Sequence, residues 1–573
     1  MKIIKYILCA LFLGAMITGC SDFFNPDNDS ILLEKDYPSD KTELLAGFWG
    51  IAQKVQSVAD QSIYLEGLRG DLLEPTDNAP QWAWDIYNYK DVSDGSLKNN
   101  SLADPKGYYS IILNCNDYLV HLKKFYVANP NVITEAKYKG LIGGTLRYKA
   151  WAYLMLAKVY GQAIYFDDVL ASYQDISKYP VYTFDQIINK CIDLIETGTD
   201  GIDGKGTISW QIDEDLYPGN AATGVSTNAA EMTWNRICPT YQCLLAELYL
   251  WKASESTESA DTKQTDYLNA WTNCISMITL GGTEDCYQMN LSEYNNEWSG
   301  FFGTQNMTRM EHICVAFYDY QNNQTNHVEE YLSNISPNKY YMRPTTVGMN
   351  AFHNQLQTDG TYSEDKYRGL GKTYKQNNGD WVLYKYMSGY TSSTTSYRND
   401  ALVPIYRAAD IHTFLAESLI GMGRFEEALT FLNGGIKSYY DSNAGAWTDV
   451  FANKGYPTSL YVTSKSGNGS SQGIRGRVTL GALGTSVLST PSVIVDNDKQ
   501  YLDSILVQET RLESAGESRS YYSMQRMFRK WGDTARKNWA DIVASKYSNG
   551  YASTIKSRLE SSNDGWFIKY GLK

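Results

Sequence analysis

One phrase recurs along the chain and limits what it can fold into. It reads "LAKVY" at 156–160, "LAELY" at 245–249 and "LAESL" at 415–419. Each copy sits inside an apolar pattern of helical period. Around the third, Ile411, Phe414, Leu415, Leu419 and Met422 form one stripe at offsets i, i+3, i+4, i+8 and i+11. Pro404 precedes that helix and "GMG" (421–423) stops it. A second stripe follows at Phe425, Leu429, Leu432 and Ile436, with small Ala428 allowing a paired helix to approach closely. The sequence therefore predicts a helical hairpin over 411–436. The first two copies have partners as well. "TFDQIINKCIDLIE" follows "LAKVYG", and "DYLNAWTNCISMI" follows "LAELYLWKA" across the polar insert "SESTESADTKQT".

The third hairpin resembles a tetratricopeptide repeat, with Gly423 at the turn and Ala428 at the expected offset in the second helix. Long insertions separate the copies, so a helical scaffold carrying large loops is expected rather than a regular solenoid. Between about 288 and 400, Asn, Tyr, Thr, Ser and Gly dominate, as in "FYDYQNNQTNH" and "GYTSSTTSYRND"; residues 464–486 are rich in Gly and Ser. These read as irregular, aromatic-rich lobes with short strands at most. The fold class expected is mostly α, with tetratricopeptide-like hairpins as scaffold and large irregular insertions.

The first twenty residues, "MKIIKYILCALFLGAMITGC", carry an address. Lys2 and Lys5 make a basic start, and the apolar run Ile7–Ile17 is too short to span a membrane comfortably. "ITGC" looks like a bacterial lipoprotein signal cleaved before Cys20, which then receives acyl chains. The expected organisation is a signal peptide over 1–19, a lipid anchor and tether over 20–36, and one large ligand-binding domain over 37–573. The membrane is reached through the lipid alone. Losing Lys2 and Lys5 takes the formal charge from −13 to −15. Cys9 leaves with the leader and Cys20 is lipidated. The remaining cysteines are Cys115, Cys191, Cys238, Cys243, Cys274, Cys286 and Cys314, an odd number with no C-x-x-C. Most read as small core residues, and a Cys274–Cys286 disulfide stays open.

Three segments together resemble the SusD/RagB family, the surface glycan-binding or nutrient-binding lipoproteins of Bacteroidetes. "GTLRYKAWAYLMLAKVYGQAIYFDD" matches that family's early helix at Lys149–Ala150, Tyr153, Leu156 and Tyr160–Gly161, with Ile164 in place of the usual proline. "LVPIYRAADIHTFLAESLIGMGRFEEAL" carries a "YR-x-AD" start and the "LAE" core. "QETRLESAGESRSYYSMQRMFRKWGD" echoes the acidic–basic helix near the C-terminus at Glu509, Arg511, Glu513, Glu517 and Arg526; Ser518 replaces a glycine and Ser523 an aspartate. Acidic "SDFFNPDNDS" after Cys20 resembles the surface-export signal of such lipoproteins. The resemblance covers about residue 37 to the end. It implies an outer-membrane protein facing the cell exterior, delivering oligosaccharide to a SusC-like TonB-dependent transporter. The alternative is a peptide- or protein-binding surface scaffold, since tetratricopeptide hairpins commonly hold proteins.

Other chemistries find little support. No Lys/Arg stripe follows the leader, so nucleic acid is not an expected partner. The five histidines, His121, His312, His327, His353 and His412, form no ligand pair of H-x-x-x-H type, and His412 reads as structural. No G-x-S-x-G, P-loop or complete G-x-G-x-x-G occurs. Carboxylates such as Asp213, Glu214 and Asp215 are plentiful, yet the resemblance points to binding rather than catalysis. No cofactor is expected. "DGIDGKG" and "QIDEDLYPGN" supply oxygens for a structural calcium without the full loop pattern.

The candidate site rests on aromatic residues, in a chain with 46 Tyr and 14 Trp. In "QWAWDIYNYK" (81–90), neither a strand nor a helix hides Trp82, Trp84, Tyr87 and Tyr89 on one face. At least one of the two tryptophans is expected to face solvent. Sugar rings offer flat C–H faces for stacking, and their hydroxyls need directional polar partners. Trp82, Trp84 and Tyr87 are candidates for the rings, Asp77 and Asn78 for the polar partners. The family resemblance places ligand-binding loops after the first helices. Trp298 and Phe301 in "NEWSGFFG" and Tyr318 in "FYDYQNN" are second candidates.

Overall fold

A computed structural model describes residues 37–571, apart from 92–96, 98, 171–172, 207–236, 256, 285–301, 303–310, 388–397, 443–450, 452–453, 455, 457–472, 484–495 and 549. The α-helices in chain order are α1 (Lys41–Ala59), α2 (Gln61–Arg69), α3 (Gln81–Tyr87), α4 (Lys106–Ala128), α5 (Glu135–Tyr160), α6 (Phe184–Glu196), α7 (Tyr241–Ala253), α8 (Ala260–Glu284) and α9 (Val328–Leu332). They continue with α10 (Thr346–Asn350), α11 (Ala408–Gly421), α12 (Phe425–Leu432), α13 (Gly435–Ser442), α14 (Asp496–Glu513), α15 (Ser520–Trp531), α16 (Asp533–Ala544) and α17 (Tyr551–Ser561). Strands among the described residues are short and form antiparallel pairs only. The expected class, a helical scaffold with irregular insertions, is what the chain adopts.

The three expected hairpins are α5 with α6, α7 with α8, and α11 with α12. Helices α4 to α8 pack each on the next, and α8 passes the stack on to α11. Local signals start them. Thr134, Thr183 and Thr240 cap α5, α6 and α7, each accepting the N–H three residues on, and Thr183 forms a full capping box with Gln186. Such caps contribute about 1 kcal/mol each. Gly161, at φ +73°, ends α5 in the left-handed conformation that glycine adopts without a Cβ clash. The turn of the third hairpin uses Gly423 in the same way, at φ +75°. Ala428 is buried, as close helix approach requires. The second stripe is not one helix, however. Asn433 and Gly434 interrupt it, Gly435 turns at φ +86°, and Ile436 is buried from α13 instead.

The recurring phrase has a property that periodicity alone conceals. Its third residue is charged in every copy, and every copy buries that charge. Lys158 of the first meets Glu247 of the second at 2.8 Å, both almost wholly buried. Glu247 also accepts the Tyr406 hydroxyl at 2.7 Å. Burial pushes the Glu247 carboxyl up, but Lys158, Arg519 and Arg526 more than reverse this and hold it at about 2. Glu417 of the third copy meets Arg526 at 3.0 Å and Lys530 at 2.7 Å, joining the hairpin to α15. The repeats are thus locked by ion pairs as well as by apolar packing.

A larger buried ion network lies where the irregular lobe meets the C-terminal helices. Arg407 reaches Glu311 at 2.6 Å, Glu513 at 2.7 Å and Glu517 at 2.5 Å. Arg477 bonds Glu311 at 2.7 Å and also Glu513. Arg368 bonds Asp365 at 2.7 Å, Glu509 at 2.6 Å and Glu513 at 3.1 Å. Arg475 meets Glu509 at 2.8 Å, and Lys385 meets Glu517. All of these side chains are buried. Burial raises the Glu509 and Glu517 carboxyls, but their basic partners outweigh it and leave both below the usual range. The "YR-x-AD" start and the acidic–basic C-terminal segment of the sequence supply much of this network.

Removing one member leaves others buried and under-compensated, which typically costs about 3–5 kcal/mol. Glu513→Gln is therefore expected to lower unfolding stability by about that amount, read as a fall in the denaturation midpoint. An unchanged midpoint would contradict a paired, desolvated Glu513.

Candidate functional site

A cleft of about 350 Å³ opens where the first helices meet the irregular lobe. Its walls come from the α1–α2 junction (Asp60, Gln61, Tyr64), from α3 (Trp82), from the 101–107 turn, and from the start of α9 (His327, Tyr331). Two distant segments of the chain are brought together here by a short antiparallel pair. Leu73–Pro75 lies against Met342–Pro344, with Glu74 paired to Arg343 at 2.7 Å. That pair places α3 beside α9 and residues 340–341.

Aromatic rings dominate one side. Trp82 is half-buried and packs on Tyr331 at 5.4 Å between centroids and on Tyr341 at 6.0 Å. Tyr331 also contacts Tyr64 at 5.1 Å and lies parallel to His327 at 4.9 Å. The Trp82 carbonyl accepts an Asn100 amide N–H at 3.0 Å, and Gln61 donates to the Leu102 carbonyl, so the 101–107 turn is tied to both neighbours. Polar groups face the rings. Asp60, only 6 % exposed, accepts the Tyr64 hydroxyl at 3.1 Å and the His327 backbone N–H at 2.9 Å. Burial raises its carboxyl above the ordinary range, against the lowering effect of His327 and Tyr64. Asp104 sits at the rim with Lys106 at 3.3 Å. Stacking surfaces beside directional acceptors suit a polyhydroxylated ligand.

Of the candidate ligand-binding residues that lie among the described ones, Trp82 alone lines this cleft. "QWAWDIY" is one short helix ending at Tyr87. Trp84 is half-buried on another side, edge-on to Tyr87 at 6.0 Å. Asp77 and Asn78 are exposed on the turn before α3 and do not line the cleft. Tyr87 is buried, contrary to its candidacy as a stacking ring: it packs on Tyr547 at 4.6 Å, with the Lys546 ammonium 4.5 Å from its centre. Tyr89 lies beyond the helix and stacks under Arg69 at 4.0 Å. Tyr318 is likewise a correction. It is buried, and its hydroxyl donates to the Gln56 carbonyl at 2.6 Å, so its ring has no face to offer. Trp298, Phe301, Cys20 and Asp213–Asp215 lie outside the described residues. Cys274 is a free buried thiol, and Cys286 also lies outside them. His412 is buried against Phe431 at 5.7 Å.

Tyr64, Asp60, Tyr331 and Tyr341 went unnoticed in the sequence, and His327 was noted only as one of five histidines that form no ligand pair. "HVEEYL" and "KYYMRP" do flag tyrosines. Nothing local signals that they meet Trp82, some 250 residues earlier. Among the described residues, no group of three or more His, Cys, Asp or Glu is arranged to hold a metal, and no helix is long and apolar enough to cross a membrane.

Taken with the helical scaffold, this architecture is the SusD-like fold. No family model and no curated protein matches the sequence itself. Solved structures do match its shape. A SusD superfamily protein from Bacteroides vulgatus superposes at a TM-score of 0.55, with 14 % identity, over 89 % of this chain and 93 % of that one. A SusD-like protein from Bacteroides fragilis gives 0.52 at 16 % identity, covering 86 % and 87 %. Surface glycan-binding protein A from Bacteroides fluxus gives 0.50 at 14 % identity, covering 90 % and 92 %.

The burial of Lys546 beside Tyr87 makes stability depend on pH. Lys546 Nζ donates to the Leu68 and Gly70 carbonyls at 2.5 and 2.6 Å. Burial pushes its ammonium down to about 7, with Asp71 and Glu74 opposing. In the unfolded chain a lysine titrates near 10.4. Between these values the unfolded state binds more protons, so this group makes stability rise with pH. Wild type should therefore gain in melting temperature relative to Lys546→Met as pH rises from about 7 to 9. A constant difference across that range would contradict a depressed Lys546.

Proposed function

We propose that this protein is a cell-surface lipoprotein that binds oligosaccharide in the Trp82–Tyr331 cleft and passes it to a SusC-like TonB-dependent transporter. The observation that carries the reading is the cleft itself: rings with half-exposed faces beside Asp60 and Asp104, built on a SusD-like scaffold. The solved neighbour named as a surface glycan-binding protein supports it. The role is binding and delivery rather than catalysis. Lipidation at Cys20 holds the chain to the outer membrane, facing outward, with residues 20–36 as tether. Several acyl chains anchor stably where one is marginal.

One observation favours the second reading, a peptide- or protein-binding scaffold. A cavity of about 560 Å³ lies among α4, α5 and α6, lined by Lys123, Lys149 and Lys190 and by Asp167, Asp193 and Asp200. Balanced charge on a helical groove suits a polypeptide segment. A glycan array separates the two, since a scaffold would bind none of the arrayed oligosaccharides.

Two outcomes follow. Trp82→Ala should weaken binding of an array-selected oligosaccharide by about 1–3 kcal/mol, by analogy with ring stacking on bases. Titration calorimetry checks this, with thermal melting to show that the variant folds; undiminished affinity would place the ligand elsewhere. Cys20→Ala should move the folded protein from the outer-membrane fraction to the soluble one. Retention in the membrane when the transporter is absent would count against the lipid anchor.

A further inference from the structure

We infer that the Trp82–Tyr331 cleft selects a cationic sugar, an oligosaccharide of free amino sugars, over neutral or acidic ones. This rests on the cleft being the glycan site, and refines it.

The floor of the cleft is a carboxylate. Asp60 is almost wholly buried between the end of α1 and the start of α2, and it lines the cleft. Its hydrogen-bond donors are the neutral Tyr64 hydroxyl and the His327 N–H. Among the described residues it makes no ion pair, whereas Glu247, Glu417, Glu513 and Glu517 elsewhere in the core are all met by Lys or Arg. A buried carboxylate without a Lys or Arg partner is costly, and burial moves its protonation upward against the lowering effect of the His327 imidazole and the Tyr64 hydroxyl. A ligand ammonium would supply the missing charge.

The rings point the same way. Tyr64, Trp82 and Tyr331 line the cleft together with Asp60, packed on one another, and the faces that Trp82 and Tyr331 leave half-exposed beside a carboxylate suit a cation, because ring faces are electronegative. Other charges on the wall do not offset this. Asp104 is a second carboxylate; among the described residues the cleft is lined by one ammonium, Lys106, at the rim and paired with Asp104, and by the His327 imidazole. Outside the cleft, Glu330 accepts from His327 Nδ1 at 2.9 Å. The chain carries −13, or −15 without residues 1–19, a field that draws cations and repels uronic or sialic acids.

The test uses the full-length chain in a polyoxyethylene detergent, which presents no sugar headgroup. Three tetrasaccharide probes are titrated calorimetrically at pH 6.5: a β-1,4-linked glucosamine tetramer, its fully N-acetylated form and a glucuronate-containing tetramer. The glucosamine tetramer should bind at least tenfold tighter than the N-acetylated one, with the acidic probe weakest. Raising salt from 50 to 500 mM should shrink that preference. Asp60→Asn should cut it at least fivefold. Because Asp60 is buried, Asp104→Asn at the rim is run beside it with thermal melting of both, and should cut the preference about twofold. If the N-acetylated tetramer binds as tightly as the amine, or if both folded variants keep the full preference, the cationic selection is wrong while the glycan cleft stands. If no probe and no arrayed oligosaccharide binds, the glycan reading falls and the selection with it.

Discussion

The ion network around Arg407 and Glu513 is the interaction on which the rest of this structure depends. Each ion removed from water costs several kcal/mol, and only close, multiply bonded partners offset that cost. The partners here come from distant parts of the chain: Glu311, Asp365 and Arg368, Lys385, Arg407, Arg475 and Arg477, and the Glu509–Glu517 segment. Any arrangement that fails to assemble them leaves a buried charge alone. Hydrophobic residues of like size can stabilise a core equally well.

The cleft inherits its geometry from that network. Lys385 also donates to the Ala515 carbonyl at 3.0 Å, and Tyr386 to Gly516 at 2.9 Å, so the lobe is fixed to the end of α14. The opposite wall is fixed to the same region. Arg511 bonds Asp71 just after α2, and Glu66 of α2 accepts the Tyr521 N–H at 3.0 Å. Both walls thus hang from the C-terminal helices. Trp82 and Tyr331 pack on one another because the Leu73–Pro75 and Met342–Pro344 pair holds α3 beside α9, while the segments around them are tied to 511–521. A site held this way is preorganised, which reduces the ordering cost of binding.

The helical scaffold was legible in the sequence because helix period and glycine stops are local signals. Residues 411–432 read correctly on those grounds, and the break at Asn433–Gly434 was the one feature the stripe concealed. The buried role of Lys158, Glu247 and Glu417 was hidden for a physical reason: a charged residue in an amphipathic pattern reads as solvated unless its partner is known. The candidate site was legible only in part. Trp82 stood out because alternation left it no single core face. Tyr87, grouped with it, and Tyr318, a second candidate, are core instead, packed against Tyr547 and Lys546 and bonded to the Gln56 carbonyl. Asp60, Tyr331 and Tyr341 could be recognised only once Leu73–Pro75 had paired with Met342–Pro344, a contact that no short-range pattern encodes.

The most direct measurement is a crystal structure of the protein with an oligosaccharide selected by binding. A sugar ring is expected stacked on Trp82 or Tyr331, with one of its polar groups within hydrogen-bond distance of Asp60. A sugar seated instead among Lys123, Lys149 and Lys190 in the α4–α6 cavity, with Trp82 untouched, would contradict the central claim.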